Sequence, residues 1–232
     1  MCWLLAYRHQ DMGSNHLTNF YLKRYMLNGV DSSCRLKAYL EKIYYMLLIT
    51  NGRIVDPKII LKIQALIEKG GMTVVNGIVV HQTDTPDAAS TFSSYANGKS
   101  GAHLLIDKDG TVYQTARLNQ STWHIGKLQS RCVVELKCPK PKTWNPSGTN
   151  RAEMAKSWPQ RYPSNRDSIG IEIVGLFDKK MNTYESVTSD QNASLGWLIK
   201  ELQAALKLNT AEVFRHPQVS YKQPSEAATA KW

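Results

Sequence analysis

The stretch GIVVHQTDTP, residues 77–86, joins an apolar segment to a polar turn through a single histidine, His81. Residues 78–80 are apolar and β-branched, which predicts a short buried strand. Polar residues with turn chemistry follow at once and end at Pro86. A histidine at such a junction is either a core residue with satisfied hydrogen bonds or a ligand held at the end of a sheet, and the rest of the sequence must distinguish the two.

Further strands are predicted downstream of this stretch. AHLLIDKDGTVYQTA places Asp109-Gly110 between two apolar runs, which predicts a hairpin because Gly110 can supply the positive φ of a tight turn. SIGIEIVG, residues 168–175, predicts another strand, on which Glu172 faces away from Ile171 and its apolar neighbours. If both sheet faces are covered, burial raises the pKa of this carboxyl, which suits a general base. If the strand lies at an edge or is half-solvated, Glu172 faces water.

The spacing of apolar residues predicts that the N-terminal part of the chain is helical. Apolar residues recur at helical spacing over residues 36–47, and Asn51-Gly52 follows as a stop signal. A second helix is predicted over residues 56–70, with Asp56 as its N-cap.

The predicted organisation has two parts. A helical N-terminal extension of unknown role covers residues 1–70, and a main domain covers residues 71–232. Within the main domain we expect a long surface excursion with a short helix near residues 151–158. The last long helix starts at Thr188, which is spaced to form a capping box with Gln191.

Composition limits the class of protein. The 232 residues carry 29 Lys and Arg against 19 Asp and Glu, a formal net charge of +10, which favours an anionic partner such as nucleic acid, a membrane surface or the bacterial envelope. The sequence has no glycine-rich phosphate loop and no basic stretch interleaved with aromatic residues, so we expect no nucleic-acid partner. We also expect no membrane span, because the most apolar run, residues 43–50, is far shorter than the roughly 20 residues that a spanning helix requires.

The four cysteines, Cys2, Cys34, Cys132 and Cys138, lack the spacing of a structural zinc site. Cys132 and Cys138 are close enough to close a small loop under oxidising conditions, whereas free thiols are expected if the chain stays in the cytosol. The sequence leaves this pairing open.

A second histidine, His216, also follows a short apolar run, in VFRHP. Two such histidines and one carboxylate make up the ligand set of a catalytic zinc site, with water in the fourth position. Glu226 follows His216 in an irregular polar segment, so the loop between them must turn back if both are to bind one metal ion. Spacing alone does not decide whether it does.

Five segments then carry a family resemblance: GIVVHQTDTP, SGAHLLIDKDGTVYQTA, TWHIGK, NRDSIGIEIVG and FRHPQVSYKQPSEA. In this order they resemble the successive blocks of the zinc-dependent N-acetylmuramoyl-L-alanine amidases of the AmpD type, whose fold is shared by phage lysozyme-like amidases and peptidoglycan recognition proteins. The resemblance covers residues 72–232. It implies an α/β fold with a central mixed β-sheet flanked by helices.

The resemblance also implies a metal site and a catalytic group. One Zn²⁺ per chain would be held by His81, His216 and Glu226, although most members of the family have Asp or Cys at the third position. The catalytic glutamate of the family falls on Glu172.

Other positions are assigned by the same resemblance. His124 matches the histidine of the family's Trp-His-x-Gly block and is expected to bind substrate, as is Thr83 in the turn after the first ligand. Lys222 is expected to act as a catalytic residue, because Pro224 stands where some members have their lysine. His103 is expected to be structural.

The implied reaction is hydrolysis, by zinc-activated water, of the amide bond between N-acetylmuramic acid and the L-alanine of the peptidoglycan stem peptide. The substrate is then peptidoglycan or a muropeptide, and degradation of the cell wall makes the protein bacteriolytic. The alternative is a non-catalytic peptidoglycan-binding recognition module, to which the departure at Glu226 points. Retention of both histidines and of Glu172 favours the enzyme.

The N-terminal sequence MCWLLAYRHQDMG lacks the basic region and the cleavage site of a signal peptide. We therefore expect synthesis in the cytoplasm and action in the periplasm or cell wall after delivery by a secretion system, as for an antibacterial effector. A phage endolysin is the alternative. An immunity protein or a secretion-system component is then an expected partner.

Overall fold

The computed structural model describes residues 47–232 of the chain. Its strands are β1 (Leu48–Thr50), β2 (Arg53–Val55), β3 (Ile59–Leu61), β4 (Glu68–Gly71), β5 (Gly77–Gln82), β6 (Leu104–Ile106), β7 (Val112–Gln114), β8 (Gln120–Thr122), β9 (Ser168–Ile173), β10 (Phe177–Asp178), β11 (Thr183–Tyr184) and β12 (Val213–Arg215). Its helices are α1 (Ala88–Tyr95), α2 (Arg131–Val134), α3 (Pro146–Met154), α4 (Ser189–Leu206) and α5 (His216–Val219). Within these residues, no helix combines the length and the apolar character that crossing a membrane requires.

The main sheet has six strands in the order β12-β5-β9-β6-β7-β3. The four strands from β12 to β6 are mutually parallel, β7 is antiparallel to β6, and β3 is parallel to β7. Helices lie between the strands in sequence, and α4 packs against the sheet through the largest apolar cluster. The predicted central mixed β-sheet flanked by helices is confirmed.

Strand β9 lies in the interior of this sheet, between β5 and β6. Its residues Ile169, Ile171 and Ile173 are fully buried in the same apolar cluster as α4. Alternation along the strand places Glu172 on the opposite face, as predicted. The alternative of an edge strand is therefore wrong, because β9 is paired on both sides, although Glu172 itself is partly exposed.

Helix α4 begins with the predicted capping box. The Thr188 hydroxyl accepts a hydrogen bond from the Gln191 backbone N–H at 3.1 Å, and the Gln191 side chain accepts one from the Thr188 N–H at 3.0 Å. The buried stripe of the helix comprises Leu195, Leu198, Ile199 and Leu202. This stripe joins α4 to the sheet and so supports the strands that carry the site.

Replacing Leu198 with alanine is expected to lower the free energy of unfolding by about 2–5 kcal/mol, because the side chain is fully buried and leaves a cavity. Chemical denaturation measures the change. Lys200→Ala on the exposed side of the same helix is the control and should have little effect. Equal effects of the two substitutions would contradict the assigned packing of α4.

The hairpin predicted around Asp109-Gly110 is confirmed. Strands β6 and β7 pair antiparallel, and Gly110 has a φ of +83°. A Cβ atom at Gly110 would also lie 2.9 Å from the carbonyl oxygen of Asp190 in the first turn of α4. Glycine therefore serves both the turn and the close approach of α4.

The helix predicted over residues 56–70 is wrong. The segment contains β3, a 3₁₀ turn at Ala65–Ile67 and most of β4. Strand β3 extends the main sheet beside β7, so the apolar run Ile59–Leu61 is stabilised by strand pairing. Gly70 and Gly71, at the C-terminal end of the segment predicted to be helical, belong to β4, which pairs with β8.

The predicted end of the first helix is also wrong. Leu48–Thr50 forms β1, which pairs with β2 across Asn51-Gly52. Both turn residues have positive φ, +51° and +75°, as a two-residue hairpin turn favours. The rest of the first predicted helix, over residues 36–46, lies outside the described residues, as does the chain before it, and the domain boundary at residue 71 stays a prediction.

The surface excursion covers residues 129–166 and carries α2 and α3. Helix α3, at Pro146–Met154, begins and ends earlier than the helix predicted near residues 151–158. Cys132 and Cys138, at the start of the excursion, are joined by a disulfide bond. The pairing that the sequence left open is thereby present in the structure.

Candidate active site

Three of the predicted site residues lie at one edge of the main sheet. His81 is near the end of β5, Glu172 is near the end of β9, and His216 directly follows β12. These strands are parallel neighbours, so their carboxyl ends meet at the same edge. His81 and Glu172 are paired in register, which turns both side chains to the same face.

The loop after α5 brings Glu226 to this edge. Gln82 holds the loop in place, because its backbone N–H donates to Glu226 Oε1 at 3.4 Å and its side-chain Oε1 accepts from the Ala227 N–H at 3.1 Å. The chain after His216 therefore turns back, as a shared metal site requires.

His81, His216 and Glu226 form a compact set of donor atoms. All three residues are buried, and one ligand atom from each lies within 4.8 Å of the others. Glu226 Oε1 is 2.8 Å from His216 Nδ1 and 3.6 Å from His81 Nδ1. The Nδ1 atoms of both imidazoles thus lie near the same carboxylate oxygen.

The hydrogen bonds of His216 fit a cation at this position. His216 Nε2 is 2.8 Å from the carbonyl oxygen of Ile125, which can only accept, so Nε2 carries a hydrogen. In neutral His216 the lone pair is then on Nδ1, and it faces the Glu226 oxygen 2.8 Å away. Two acceptors at this distance need a proton or a metal cation between them. Metal-bound histidines commonly donate their other ring N–H to a backbone carbonyl in this way.

The electrostatics of the set favour deprotonated ligands. Burial, together with neighbouring His216, lowers the pKa of His81 to about 3 against the opposing effect of Glu226. Burial raises the pKa of Glu226, but the close approach of the His216 and His81 rings outweighs burial and lowers this pKa to about 2. At neutral pH the set offers a neutral imidazole and an ionised carboxylate, which are the forms that bind Zn²⁺.

Glu172 lies beside the donor set and titrates near neutrality. Burial raises the pKa of Glu172 to about 7, and the charge of Glu226 adds to this effect. The charge of Lys222 and the hydroxyl of Tyr95 act in the opposite direction. A carboxyl whose pKa is close to the working pH can both accept and return a proton, which is what a general base must do.

The predicted site residues line one cavity of about 630 Å³. Its wall includes His81, Thr83, Tyr95, Trp123, His124, Asn165, Glu172, His216, Lys222 and Glu226. This size is typical of sites for small ligands. The structure thus brings together every residue that the sequence assigned to metal, catalysis or substrate.

Thr83 and Lys222 differ in how firmly they are held. The Thr83 hydroxyl accepts hydrogen bonds from the N–H groups of Thr85 and Gly175 at 3.1 and 3.2 Å, so it braces the turn at the mouth of the cavity. Lys222 is exposed, and its charge acts on both Glu172 and the ligand set. It is placed to act electrostatically on a group bound in the cavity.

His124 and His103, the other two histidines within residues 47–232, have different surroundings. His124 Nδ1 lies 2.9 Å from His81 Nε2, so His124 contacts a predicted ligand as well as lining the cavity. His103 is fully buried, accepts a hydrogen bond from the Gly170 N–H at 3.0 Å and donates to the Gln120 carbonyl at 2.8 Å. Backbone groups occupy both ring nitrogens of His103, which supports its expected structural role.

Tyr95 and Asn165 are residues of the site that the sequence did not indicate. Tyr95 is buried at the end of α1 and lowers the pKa of Glu172. Asn165 Oδ1 accepts from the backbone N–H groups of His124 and Ile125, at 3.0 and 2.8 Å. Tyr95 has the sequence pattern of a core residue, and Asn165 lies in the irregular excursion, so no local signal marked either one.

Residues 71–231 match the family model described as N-acetylmuramoyl-L-alanine amidase, Amidase_2. The chain belongs to this family. The matched region of this amidase-family chain runs from before β5 to beyond Glu226 and so contains the whole site. Among curated protein sequences, none matches the chain significantly.

Several solved structures are similar to this amidase-family chain. The catalytic domain of XlyA is 26% identical, with 72% of this chain and 88% of that one covered and a TM-score of 0.45. The N-acetylmuramoyl-L-alanine amidase LysC from Clostridium intestinale URNW is 21% identical, with 76% and 92% covered and a TM-score of 0.43. A selenomethionine derivative of AmpD is 18% identical, with 76% and 90% covered and a TM-score of 0.43.

Proposed function

We propose that the protein is a zinc-dependent peptidoglycan hydrolase that cleaves the amide bond between N-acetylmuramic acid and the L-alanine of the stem peptide. The observation that carries the proposal is the convergence of His81, His216 and Glu226, with Glu172 in the same cavity. Two imidazoles and one carboxylate are a donor set of catalytic zinc sites, which keep a further position open. Family membership supplies the class of bond.

Each catalytic residue has a task in this hydrolysis. Zinc held by His81, His216 and Glu226 would supply Lewis acidity, which would polarise the scissile carbonyl and lower the pKa of water toward about 7. Glu172 takes a proton from the attacking water and returns it to the amine of L-alanine as the C–N bond breaks. Lys222 stabilises the negative charge that develops on the carbonyl oxygen. The products are a carboxylate on the lactyl group of the glycan and a free stem peptide.

Thr83 and His124 are proposed to bind the substrate around the scissile bond. Both line the cavity, and Trp123 beside them is 56% exposed, which offers an apolar surface at the entrance. The net charge of +10 supports attraction to an anionic cell envelope. Amide and hydroxyl groups of a muropeptide have the hydrogen-bonding character that this largely polar wall requires.

The proposal is tested by digesting purified peptidoglycan and identifying the new end groups. Amide hydrolysis exposes the amino group of L-alanine, so labelling of free amines should show N-terminal alanine appearing with time. Reducing sugar ends should not increase, since the glycan chain is left intact. An increase in reducing ends without N-terminal alanine would contradict the proposal and indicate a glycosidase.

A peptidoglycan recognition module is the second candidate function. The observation that favours it is Glu226, because the family resemblance places Asp or Cys at this position in most members. Such a module would sediment with insoluble peptidoglycan yet release no peptide in the presence of zinc. Glu172 lies beside the donor set and has a pKa near 7, which favours the enzyme. A group that can transfer protons at neutral pH is needed for catalysis and not for binding alone.

Replacing Lys222 with methionine is expected to move the acid limb of the pH profile. In the native protein kcat/KM should fall toward acid pH, because Glu172 must be ionised to accept a proton. Lys222 lowers the pKa of Glu172, so its removal raises this pKa and shifts the half-maximal pH upward. Rates between about pH 5 and about pH 9 measure the shift. Lys200→Met on α4 is the control, and acid limbs that coincide in all three proteins would contradict the role of Lys222.

Delivery by a secretion system, action in the periplasm or cell wall, and an immunity partner stay predictions. They depend on the N-terminal sequence, which lies outside the described residues.

A further inference from the structure

We infer that His124 and Ser168 form a directed hydrogen-bond chain that fixes the tautomer of His81 and presents its Nδ1 atom to the metal ion. The inference rests on the proposed function, because it assigns both residues to the metal site. It gives His124 the role of a positioning residue in addition to its place in the cavity wall.

The direction of the chain is set at its far end. The Ser168 hydroxyl is 2.6 Å from the carbonyl oxygen of Ser164, which can only accept, so the hydroxyl hydrogen lies there. Ser168 Oγ is therefore left to act as an acceptor toward His124 Nε2, which is 3.1 Å away. It follows that His124 Nε2 carries a hydrogen.

The direction then passes through His124 to His81. Neutral His124 with its hydrogen on Nε2 has a lone pair on Nδ1, and this atom is 2.9 Å from His81 Nε2. His81 must donate here, so its hydrogen is on Nε2 and its lone pair is on Nδ1. That is the atom 3.6 Å from Glu226 Oε1, on the side of the donor set. Together these hydrogen bonds exclude the other tautomer of His81, in which Nδ1 carries the hydrogen and cannot bind a metal ion.

The packing around His124 holds the ring in this orientation. A Cβ atom on Gly170 would lie 2.7 Å from His124 Nδ1, so only glycine leaves room for the ring above β9. Asn165 Oδ1 accepts the backbone N–H of His124 at 3.0 Å and that of Ile125 at 2.8 Å. Ser168 is fully buried. The ring is therefore fixed by both its side-chain and its backbone contacts, as residues that orient a metal ligand usually are.

Two substitutions interrupt the chain at different points. Ser168→Ala removes the acceptor of the His124 Nε2 hydrogen, so His124 can move its hydrogen to Nδ1 and donate to His81, which forces the His81 hydrogen onto Nδ1. His124→Leu removes the acceptor of the His81 hydrogen altogether. His124→Asn is the conservative variant, because its Oδ1 atom can accept in the place of Nδ1.

Ser194→Ala is the matched control for the serine. The Ser194 hydroxyl also donates to a backbone carbonyl at 2.6 Å, that of Gly110, but it lies on α4 and forms no hydrogen bond to a histidine within residues 47–232. Thermal unfolding of every variant shows whether it is folded before its metal site is measured.

The experiment combines two readouts. NMR of metal-free protein labelled with ¹⁵N-histidine reports which ring nitrogen of His81 carries the hydrogen, and competition with a chelator reports zinc affinity. We expect the Nε2–H tautomer in the native protein, in Ser194→Ala and in His124→Asn, and a shift toward Nδ1–H in Ser168→Ala. Zinc affinity should fall by about 10- to 100-fold in Ser168→Ala and His124→Leu and be largely kept in His124→Asn.

The two readouts separate this inference from the proposed function. If Ser168→Ala and His124→Leu keep both the His81 tautomer and the zinc affinity of the native protein, the inference is overturned while the zinc site stands. If the native protein binds no zinc but the tautomer shifts as expected, the chain is supported and the proposed metal site fails. A loss of affinity in His124→Asn equal to that in His124→Leu would also overturn the inference, because an acceptor at Nδ1 would then not matter.

Discussion

Glu172→Gln is expected to lower kcat for amide hydrolysis by about 10²- to 10⁴-fold, the range that loss of a general base produces. Glutamine keeps the size of the side chain but cannot accept a proton from water. Zinc content should be unchanged, because Glu172 is not part of the donor set formed by His81, His216 and Glu226. Release of N-terminal alanine from peptidoglycan, measured together with bound zinc, tests both expectations.

The control for this substitution is Glu201→Gln on α4, which should leave hydrolysis unchanged. Hydrolysis by Glu172→Gln at a third or more of the native rate would exclude Glu172 as the base.

The pH dependence of stability gives a further check on Glu172. The folded-state pKa of Glu172 is raised from 4.5 to about 7, so its contribution to stability is lost as the pH rises through this interval. Metal-free Glu172→Gln should therefore gain stability relative to the native protein on going from below pH 4.5 to above pH 7.

Glu226→Gln is expected to lower zinc affinity by at least about 100-fold, beyond the usual effect of losing a group that only supports a ligand. The amide removes the charge of the carboxylate whose Oε1 atom lies 2.8 Å from His216 Nδ1. Hydrolysis at limiting zinc should fall in parallel. Competition with a chelator measures the affinity, and added excess zinc should restore part of the rate.

Glu226→Asp is the matched variant, because it keeps the charge and shortens the side chain by one methylene. Its zinc affinity should lie between those of the native protein and Glu226→Gln. Gln82 holds the loop that carries residue 226, so the loop can move only partly to bring the shorter carboxylate to the metal ion. Native affinity in Glu226→Gln would show that water or another carboxylate supplies the third ligand.

The features predicted correctly from the sequence are those determined by residues close to one another along the chain. The capping box at Thr188 and the turn at Gly110 each depend on contacts or φ angles within a few positions. His81 and His216 each follow an apolar run, and the ends of parallel strands bring them to one edge of the sheet. Spacing left the ligand role of Glu226 open, because it does not determine the path of the loop that carries this residue, and the family resemblance assigned the role.

The features that were missed depend on partners distant in the sequence. The run Ile59–Leu61 is compatible with a helix or a strand, and the presence of β7 as a partner decides for the strand. Tyr95, Asn165 and Ser168 reach the site from α1, the excursion and β9. Their roles follow from the tertiary fold, because none of them has a local pattern that distinguishes it from a core or loop residue.

Zinc titration of metal-stripped protein, with hydrolysis of purified peptidoglycan followed in the same samples, tests the metal site most directly. We predict that the native protein binds one Zn²⁺ per chain and that release of N-terminal alanine increases in proportion to occupancy. His81→Ala and His216→Ala should bind no zinc at the same concentrations and release no peptide. Undiminished hydrolysis by the metal-stripped native protein, or stoichiometric zinc in both histidine variants, would contradict the assignment of His81, His216 and Glu226 as its ligands.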